Sequence, residues 1–162
     1  MISRDQLKEK PIDEELVKNR DRHNVVISDN GEISVLVGAE ADKFQERYVS
    51  KFYSYKNEFK GRVASKGYAK GKAKIVLKDT DFSKLKQGDI LVVISTGPDY
   101  VPIMKKSAAI IAEEGSITSH VSVISREFRI PCIVGVDYIT NILKDGDLVE
   151  VDADKGIIRK IK

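Results

Sequence analysis

Apolar residues cluster in three short unbroken blocks: Ile90–Ile94, Ala108–Ala112 and Cys132–Val136. Blocks of this length and purity predict strands buried on both faces, the pattern of parallel pairing. Between the first two lies TGPDYVPIMKKS, residues 96–107, which predicts a loop and a short helix. Between the second and third, Ile117, Val121, Ile124 and Phe128 recur at spacings of four, three and four, predicting a helix from about His120 to Phe128 with those four residues inward. Pro131 ends it. DYITNIL at 137–143 predicts another short helix, and LVEVDADKGIIRKI at 148–161 a closing hairpin. Strands alternating with helices predict an α/β fold, and the strands at either end of this region make its sheet mixed.

The first sixty residues have a different character. IDEELVKNRDR, 12–22, predicts a short polar helix, and Val25–Ser28 with Ile33–Val37 a hairpin turning at Asp29-Asn30-Gly31. Phe44, Tyr48, Phe52 and Tyr55 form an aromatic stripe on a following helix, read as packing. Composition changes at Gly61. The division is therefore a small α+β appendage over 1–60 and a main domain over 61–162, with Lys56–Gly61 as the candidate hinge. Glycines in GRVASKGYAKGKAKIVL lack the spacing of a P-loop or a dinucleotide fingerprint, so they read as tight turns.

Charge narrows the function. Lys and Arg number 28 against 25 Asp and Glu among 162 residues, a formal net charge of +3. The positive residues are dispersed without aromatic interleaving, which disfavours nucleic acid. One cysteine, Cys132, rules out a disulfide framework and a cysteine-rich metal site, and the simplest compartment is a reducing cytosol. No apolar run is of membrane-spanning length, and the N-terminus lacks the apolar region of a signal peptide. The two histidines give no metal-ligand spacing: His23 sits in a charged run and reads as exposed and idle.

His120 is different. EEGSITSHVSVISREFRIPCIVG, Glu113 to Gly135, places it at the mouth of the predicted helix behind Ser116, Thr118 and Ser119. The first turn of a helix offers unpaired N–H groups and a partial positive charge, a place suited to phosphate. Ser119 or Thr118 is the natural N-cap. A neutral imidazole there is a nucleophile, and a phosphoryl group carried on it would meet donors on every side. One ring nitrogen attacks while the other keeps its proton on a nearby oxygen, for which Thr118 is a candidate. Gly115 fits close backbone approach. By position alone, a surface or capping histidine remains open.

The same stretch resembles the phosphohistidine signature of the phosphoenolpyruvate-utilising enzymes, roughly E-G-G-x-T-S-H-A-A-I-x-[AS]-R-E-x-x-I-P-x-[IV]-V-G. That family includes pyruvate phosphate dikinase, phosphoenolpyruvate synthase and enzyme I of the sugar phosphotransferase system. VASKGYAKGKAKIV, GDILVVISTGPDYVPIMKKSAAIIAEEG and LKDGDLVEVDADKGIIRKI resemble its other segments, so the likeness covers about 61–162. Ser116 stands where the family has a second glycine, Val121-Ser122 where it has Ala-Ala, and Phe128-Arg129 where it has Leu-Gly.

The resemblance implies a swivelling β/β/α phosphohistidine domain with His120 phosphorylated on Nε2. Thr118 and Ser119 precede it as in the family. Gly115 and Ser116 fall in the phosphate-supporting loop, and Thr96 and Asp99 in a T-x-P-D loop on the same side. Taken without the resemblance, Asp99 caps the short helix after it. Arg126 reads as a surface or partner-facing salt bridge. The domain itself binds no cofactor or metal. It swings between an ATP-grasp domain and a barrel that binds phosphoenolpyruvate or pyruvate, and those partners bring Mg2+ with ATP or phosphoenolpyruvate. The activity implied is a component of a synthase-like or dikinase-like phosphotransferase, with no nucleic-acid or membrane partner. Two alternatives are a non-catalytic interaction module of the same fold, and a carrier for another acceptor, of the rifampicin phosphotransferase or glucan dikinase type.

Overall fold

A computed structural model describes residues 24–29, 32–44, 47 and 57–161. The chain divides into two compact units, Met1–Lys51 and Phe52–Lys162. The first holds the hairpin β1 (Asn24–Asp29) and β2 (Glu32–Val37) and a helix over 39–44. Asp29 pairs with Glu32 at the end of the hairpin, and the expected turn residues Asn30 and Gly31 lie outside the described residues. The polar helix read at 12–22 and Tyr48, Phe52 and Tyr55 of the aromatic stripe lie outside the described residues. Phe44, its first member, is 37% exposed.

The second unit is built on eight strands. Besides β3 (Glu58–Lys60), β4 (Arg62–Ser65) and β5 (Tyr68–Ile75), these are β6 (Ile90–Val93), β7 (Ala109–Ala112), β8 (Cys132–Val134), β9 (Leu148–Asp152) and β10 (Ile157–Ile161). Their order is β3-β10-β9-β5-β6-β7-β8-β4. The three apolar blocks form the parallel run β6-β7-β8, and the closing hairpin is β9-β10. β5 belongs to both halves: residues 68–72 pair antiparallel with β9 and 73–75 parallel with β6.

Alternate residues of the parallel strands point into two cores. Ile90, Val92, Ala109, Ile111 and Ile133 pack with Phe59, Val149, Val151 and Ile158, so the antiparallel half folds back over the parallel half. Leu91, Val93, Ile110, Cys132 and Val134 pack with Ile103, Met104 and Val121, beneath α1 (Val101–Met104) and α2 (His120–Glu127). A third helix, α3 (Ile139–Ile142), adds Ile139 to the first core. The fold is mixed α/β with two β layers and a helical layer.

The edge strands β3 and β4 are separated in the chain by Gly61 alone. One extended run therefore passes from one half of the sheet to the other, and Gly61 is the corner. A side chain there would press on Ile133, Val136 and the Val134 carbonyl at 2.6–2.7 Å. Gly61 also donates its N–H to the Gly156 carbonyl at 3.0 Å. The composition break at residue 61 thus falls inside the folded unit: Glu58–Lys60 pair with β10. Residues 58–61 make a strand and a tight corner, which differs from the hinge anticipated over Lys56–Gly61.

Candidate functional site

Two loops leave the C-terminal ends of adjacent parallel strands, where α/β sheets place their ligands. One follows β6 and carries Thr96. The other follows β7 and leads into α2 at His120. Parallel pairing of β6 with β7 brings the two loops together, and Thr96 Oγ1 lies 3.0 Å from His120 Nδ1. His120 is half-buried and opens the first turn of α2. When Nδ1–H donates to Thr96, the lone pair of Nε2 is left as the nucleophile.

Ser119 stands at the N-cap in extended backbone, at ψ 160°, but its side chain caps nothing. The hydroxyl turns back and donates to the Ser116 carbonyl at 2.7 Å. The Ser122 hydroxyl donates to the same oxygen at 2.6 Å, and the Ser119 N–H at 3.1 Å. The backbone N–H groups of His120, Val121 and Ser122 have no hydrogen-bond partner among the described residues. The positive end of the helix lies at the imidazole, the arrangement that favours an anion.

The expected acceptor for the imidazole proton, Thr118, is engaged elsewhere. Its hydroxyl lies 2.9 Å from the Ser116 hydroxyl, which also accepts the Thr118 N–H at 3.3 Å. Thr96 takes the part assigned to Thr118, because the β6 loop reaches Nδ1 while the Ser116–Thr118 turn closes on itself. Gly115 is at φ 136°, where only glycine sits at ease, and a Cβ there would be 3.0 Å from Ser119 Oγ. Ser116 is absent from the residues at positive φ, so its replacement of a glycine leaves the backbone unstrained. Asp99 is exposed in a short 3-10 turn, Pro98–Tyr100, whose N-cap is Gly97, and no side chain caps that turn or α1. The proposed Asp99 cap is therefore not formed, and nothing ties Asp99 to His120.

The helix presents three of its four expected inward residues to the core, and adds two serines. Val121, Ser122 and Ser125 are buried, Ile124 and Phe128 are partly buried, and Ile117, before the helix begins, is 58% exposed. Small hydroxyl residues let α2 lie close on β4, where Ser65 Oγ donates to the Ser125 carbonyl at 3.3 Å. Burial pushes the Cys132 thiol beneath it up to about 12, with the Ser125 hydroxyl and the Arg126 charge pulling the other way. Arg126 makes no salt bridge among the described residues. Its guanidinium donates to the carbonyls of Ile117, at 2.8 Å, and Ala64, at 3.4 Å. Glu113 anchors the other end of the loop: its carboxylate accepts the Thr140 N–H at 2.7 Å and the Thr140 hydroxyl. Sequence reasoning missed Ser122 and Glu113 as loop anchors. The only signal for Ser122 was its departure from the family's alanine.

Among the described residues, no three His, Cys, Asp or Glu side chains gather as a metal site, and no helix is long and apolar enough to cross a membrane.

The second unit is thus a mixed α/β domain with a histidine at the N-terminus of a helix. Residues 85–156 match the family profile "PEP-utilising enzyme, mobile domain". Over 116 residues, 72% of the chain, it is 45% identical to a probable phosphoenolpyruvate synthase of Archaeoglobus fulgidus, and spans 15% of that protein. It is also 45% identical over 101 residues, 62% of the chain, to the phosphoenolpyruvate synthase of Pyrococcus furiosus, of which it spans 12%. A solution structure of an Enzyme I protein is 30% identical, covers 49% of this chain and 33% of its own, and superposes with a TM-score of 0.43. The chain is a small fraction of the curated relatives it matches.

Proposed function

We propose that this chain is a phosphoryl carrier in which Nε2 of His120 accepts a phosphoryl group. It would shuttle that group between an ATP-grasp nucleotide site and a pyruvate or phosphoenolpyruvate site, as a component of a phosphoenolpyruvate synthase-like or dikinase-like phosphotransferase. The observation that carries the reading is the 3.0 Å contact of Thr96 with Nδ1, which leaves Nε2 free at an uncapped helix N-terminus.

Each transfer is a displacement at phosphorus. On loading, Nε2 donates its lone pair and the bond from phosphorus to the donor oxygen breaks; on delivery, an acceptor oxygen attacks phosphorus, the P–Nε2 bond breaks and its electron pair returns to Nε2, with Nδ1 keeping its proton on Thr96 throughout. The product carries a dianionic phosphoryl group, for which the free N–H groups of His120, Val121 and Ser122 are donors in place. The hydroxyls of Thr118 and Ser116 stand in the same loop, while that of Ser119 is committed to holding it. The nucleotide site, the acceptor site and their Mg2+ would belong to other domains of a longer protein or to separate subunits, working in a reducing cytosol. The relatives' greater length supports the first arrangement.

The test uses the full chain and its His120→Ala variant, each incubated with labelled phosphoenolpyruvate or with β- or γ-labelled ATP and an extract of the source cells. Label on the wild type alone, lost in acid and kept in base, is the expected result. Equal label on both proteins would place the chemistry elsewhere. No label on either, with both folded, would favour an interaction module.

A further inference from the structure

We infer that Arg126 is a positioning residue for phosphoryl loading of His120: its guanidinium holds the carbonyl of Ile117 against α2 and so fixes the loop that leads into the histidine. This rests on the carrier reading above and adds a residue to it. Arg126 lies two turns along the helix from His120, on an exposed part of its surface. Such an arginine ordinarily extends into water or pairs with a carboxylate. Here it folds back across nine residues of chain and donates from one nitrogen to two backbone carbonyls, one in the loop and one in β4.

The consequence follows from peptide geometry. Two consecutive carbonyls of the loop are tied to side chains of α2: Ser116 to Ser122 and Ile117 to Arg126. In a trans peptide the N–H points opposite to the C=O. Turning both carbonyls onto the helix removes two negative dipole ends from the surroundings of an incoming dianion; it directs the Ile117 N–H away from the helix body, while the Thr118 N–H goes to the Ser116 hydroxyl. The Ile117 N–H has no partner among the described residues. Without the clamp, the loop from Gly115 to Ser119 would retain Ser122 and Glu113 as anchors but could rotate the Ile117 peptide. The Ile117 carbonyl would then be free to turn toward the phosphoryl group, and the Thr118 N–H would leave the Ser116 hydroxyl that now accepts it at 3.3 Å. Lysine keeps the charge but on a shorter side chain that loses more freedom for each bond made, so it would hold the two carbonyls less firmly.

The experiment uses the full chain with phosphoramidate, a small phosphoryl donor that needs no partner protein. Its P–N bond breaks with departure of ammonia as the P–Nε2 bond forms, and Nδ1 keeps its proton. Wild type, Arg126→Gln, Arg126→Lys and His120→Ala are compared for loading rate, loss of label at neutral pH and melting temperature. His120 ring shifts are followed by 15N NMR. Loading of Arg126→Gln slowed by about tenfold to a hundredfold well below its melting temperature, with Arg126→Lys recovering part of the rate, is the expected outcome. Wild-type loading on His120 with an unchanged rate in Arg126→Gln would overturn the inference alone, even if that variant melts earlier. If Arg126→Gln does not fold, Arg126→Lys decides, and a lysine variant as fast as wild type overturns it. A wild type that does not load, or loads equally without His120, overturns the carrier reading and this inference with it.

Discussion

Thr96 and His120, twenty-four residues apart in the chain, meet at 3.0 Å across the ends of two neighbouring parallel strands. Neither side chain could be oriented by its own loop. The bond exists because the β6 and β7 register, Val93 opposite Ala112, sets the loops side by side. A tertiary contact between strands thereby decides which nitrogen of the imidazole faces outward.

Replacing Thr96 by valine keeps the shape and removes the hydroxyl. A hydrogen bond of this kind is worth about 0.5–1.5 kcal/mol, so loading of His120 should slow by up to about tenfold. The ring would also lose its preference between tautomers, which 15N NMR reads directly. Thr96→Ser should restore both. An unchanged rate and unchanged ring shifts in Thr96→Val would show that the contact does not orient the imidazole.

Arg129 offers a separate test at the far end of α2. Ile130 N–H returns to the Ser125 carbonyl at 2.8 Å and Arg129 N–H to that of Arg126 at 3.2 Å, the paired bonds of a Schellman ending. That ending needs a left-handed residue, and Arg129 supplies it at φ 55°. A glycine escapes the Cβ clash, so Arg129→Gly should stabilise the chain by about 1 kcal/mol, a rise of several degrees in melting temperature. A fall in melting temperature would mean that the arginine side chain contributes more than its backbone costs.

Much of this architecture was legible because two strong periodicities do not conflict. The three apolar blocks could only be strands buried on both faces, and they became β6, β7 and β8. The His120 helix was equally plain in extent. Its buried face was legible in part: Val121, Ile124 and Phe128 turn inward as their spacing indicates, Ile117 does not, and close packing on β4 also buries Ser122 and Ser125. A serine buried by tight helix–strand approach carries no apolar signal. The partner of His120 was misread for a related reason: Thr118 is near in sequence, whereas Thr96 is near only once the sheet is formed. The corner at Gly61 was hidden because one residue separates strands at opposite edges of the sheet, and no local pattern reports such closure.

Asp147 should make stability depend on acid. Burial tends to raise its carboxyl, but the Lys160 ammonium at 2.6 Å and the Lys144 N–H at 2.9 Å outweigh it and hold the group below the usual carboxylate value. A carboxyl lowered on folding stabilises the native state above its unfolded value, near 3.9, and loses that contribution as pH falls through the folded value. Asp147→Asn should therefore cost about 0.5–1 kcal/mol at pH 7 and almost nothing near pH 2. Denaturant unfolding at the two pH values checks this. A cost that stays constant would assign the effect to packing.

Cys132 is the one cysteine in the chain and is fully buried beneath α2. With its thiol pushed up to about 12, almost no thiolate forms at pH 8 in the native state. A maleimide or iodoacetamide should therefore label the folded chain only through opening, at a rate that climbs with denaturant as the protein unfolds. Rapid labelling in buffer, at the rate of a free thiol, would show that α2 lifts from β4 far more readily than its packing indicates.

Gly61 and Gly88 separate two reasons for a glycine. Gly88 is at φ 87° with open space around its missing side chain, so Gly88→Ala meets backbone strain alone, about 1 kcal/mol. Gly61 has no such φ, yet a Cβ would lie 2.6 Å from the methyls of Ile133 and Val136 and 2.7 Å from the Val134 carbonyl. Neither methyl has free room, since both side chains are buried in the core between the two β layers, and the carbonyl is fixed by strand pairing. Relief must come from moving the 58–65 run, which would loosen β3 from β10 and β4 from β8 together. Gly61→Ala should thus cost the larger amount, about 1–3 kcal/mol, and should raise hydrogen exchange at both edges of the sheet. Its effect should also reach His120 weakly, because α2 lies on β4 through Ser65. A Gly61→Ala chain as stable as wild type, or one disturbed at a single edge, would show that the two halves of the sheet are not coupled through this corner.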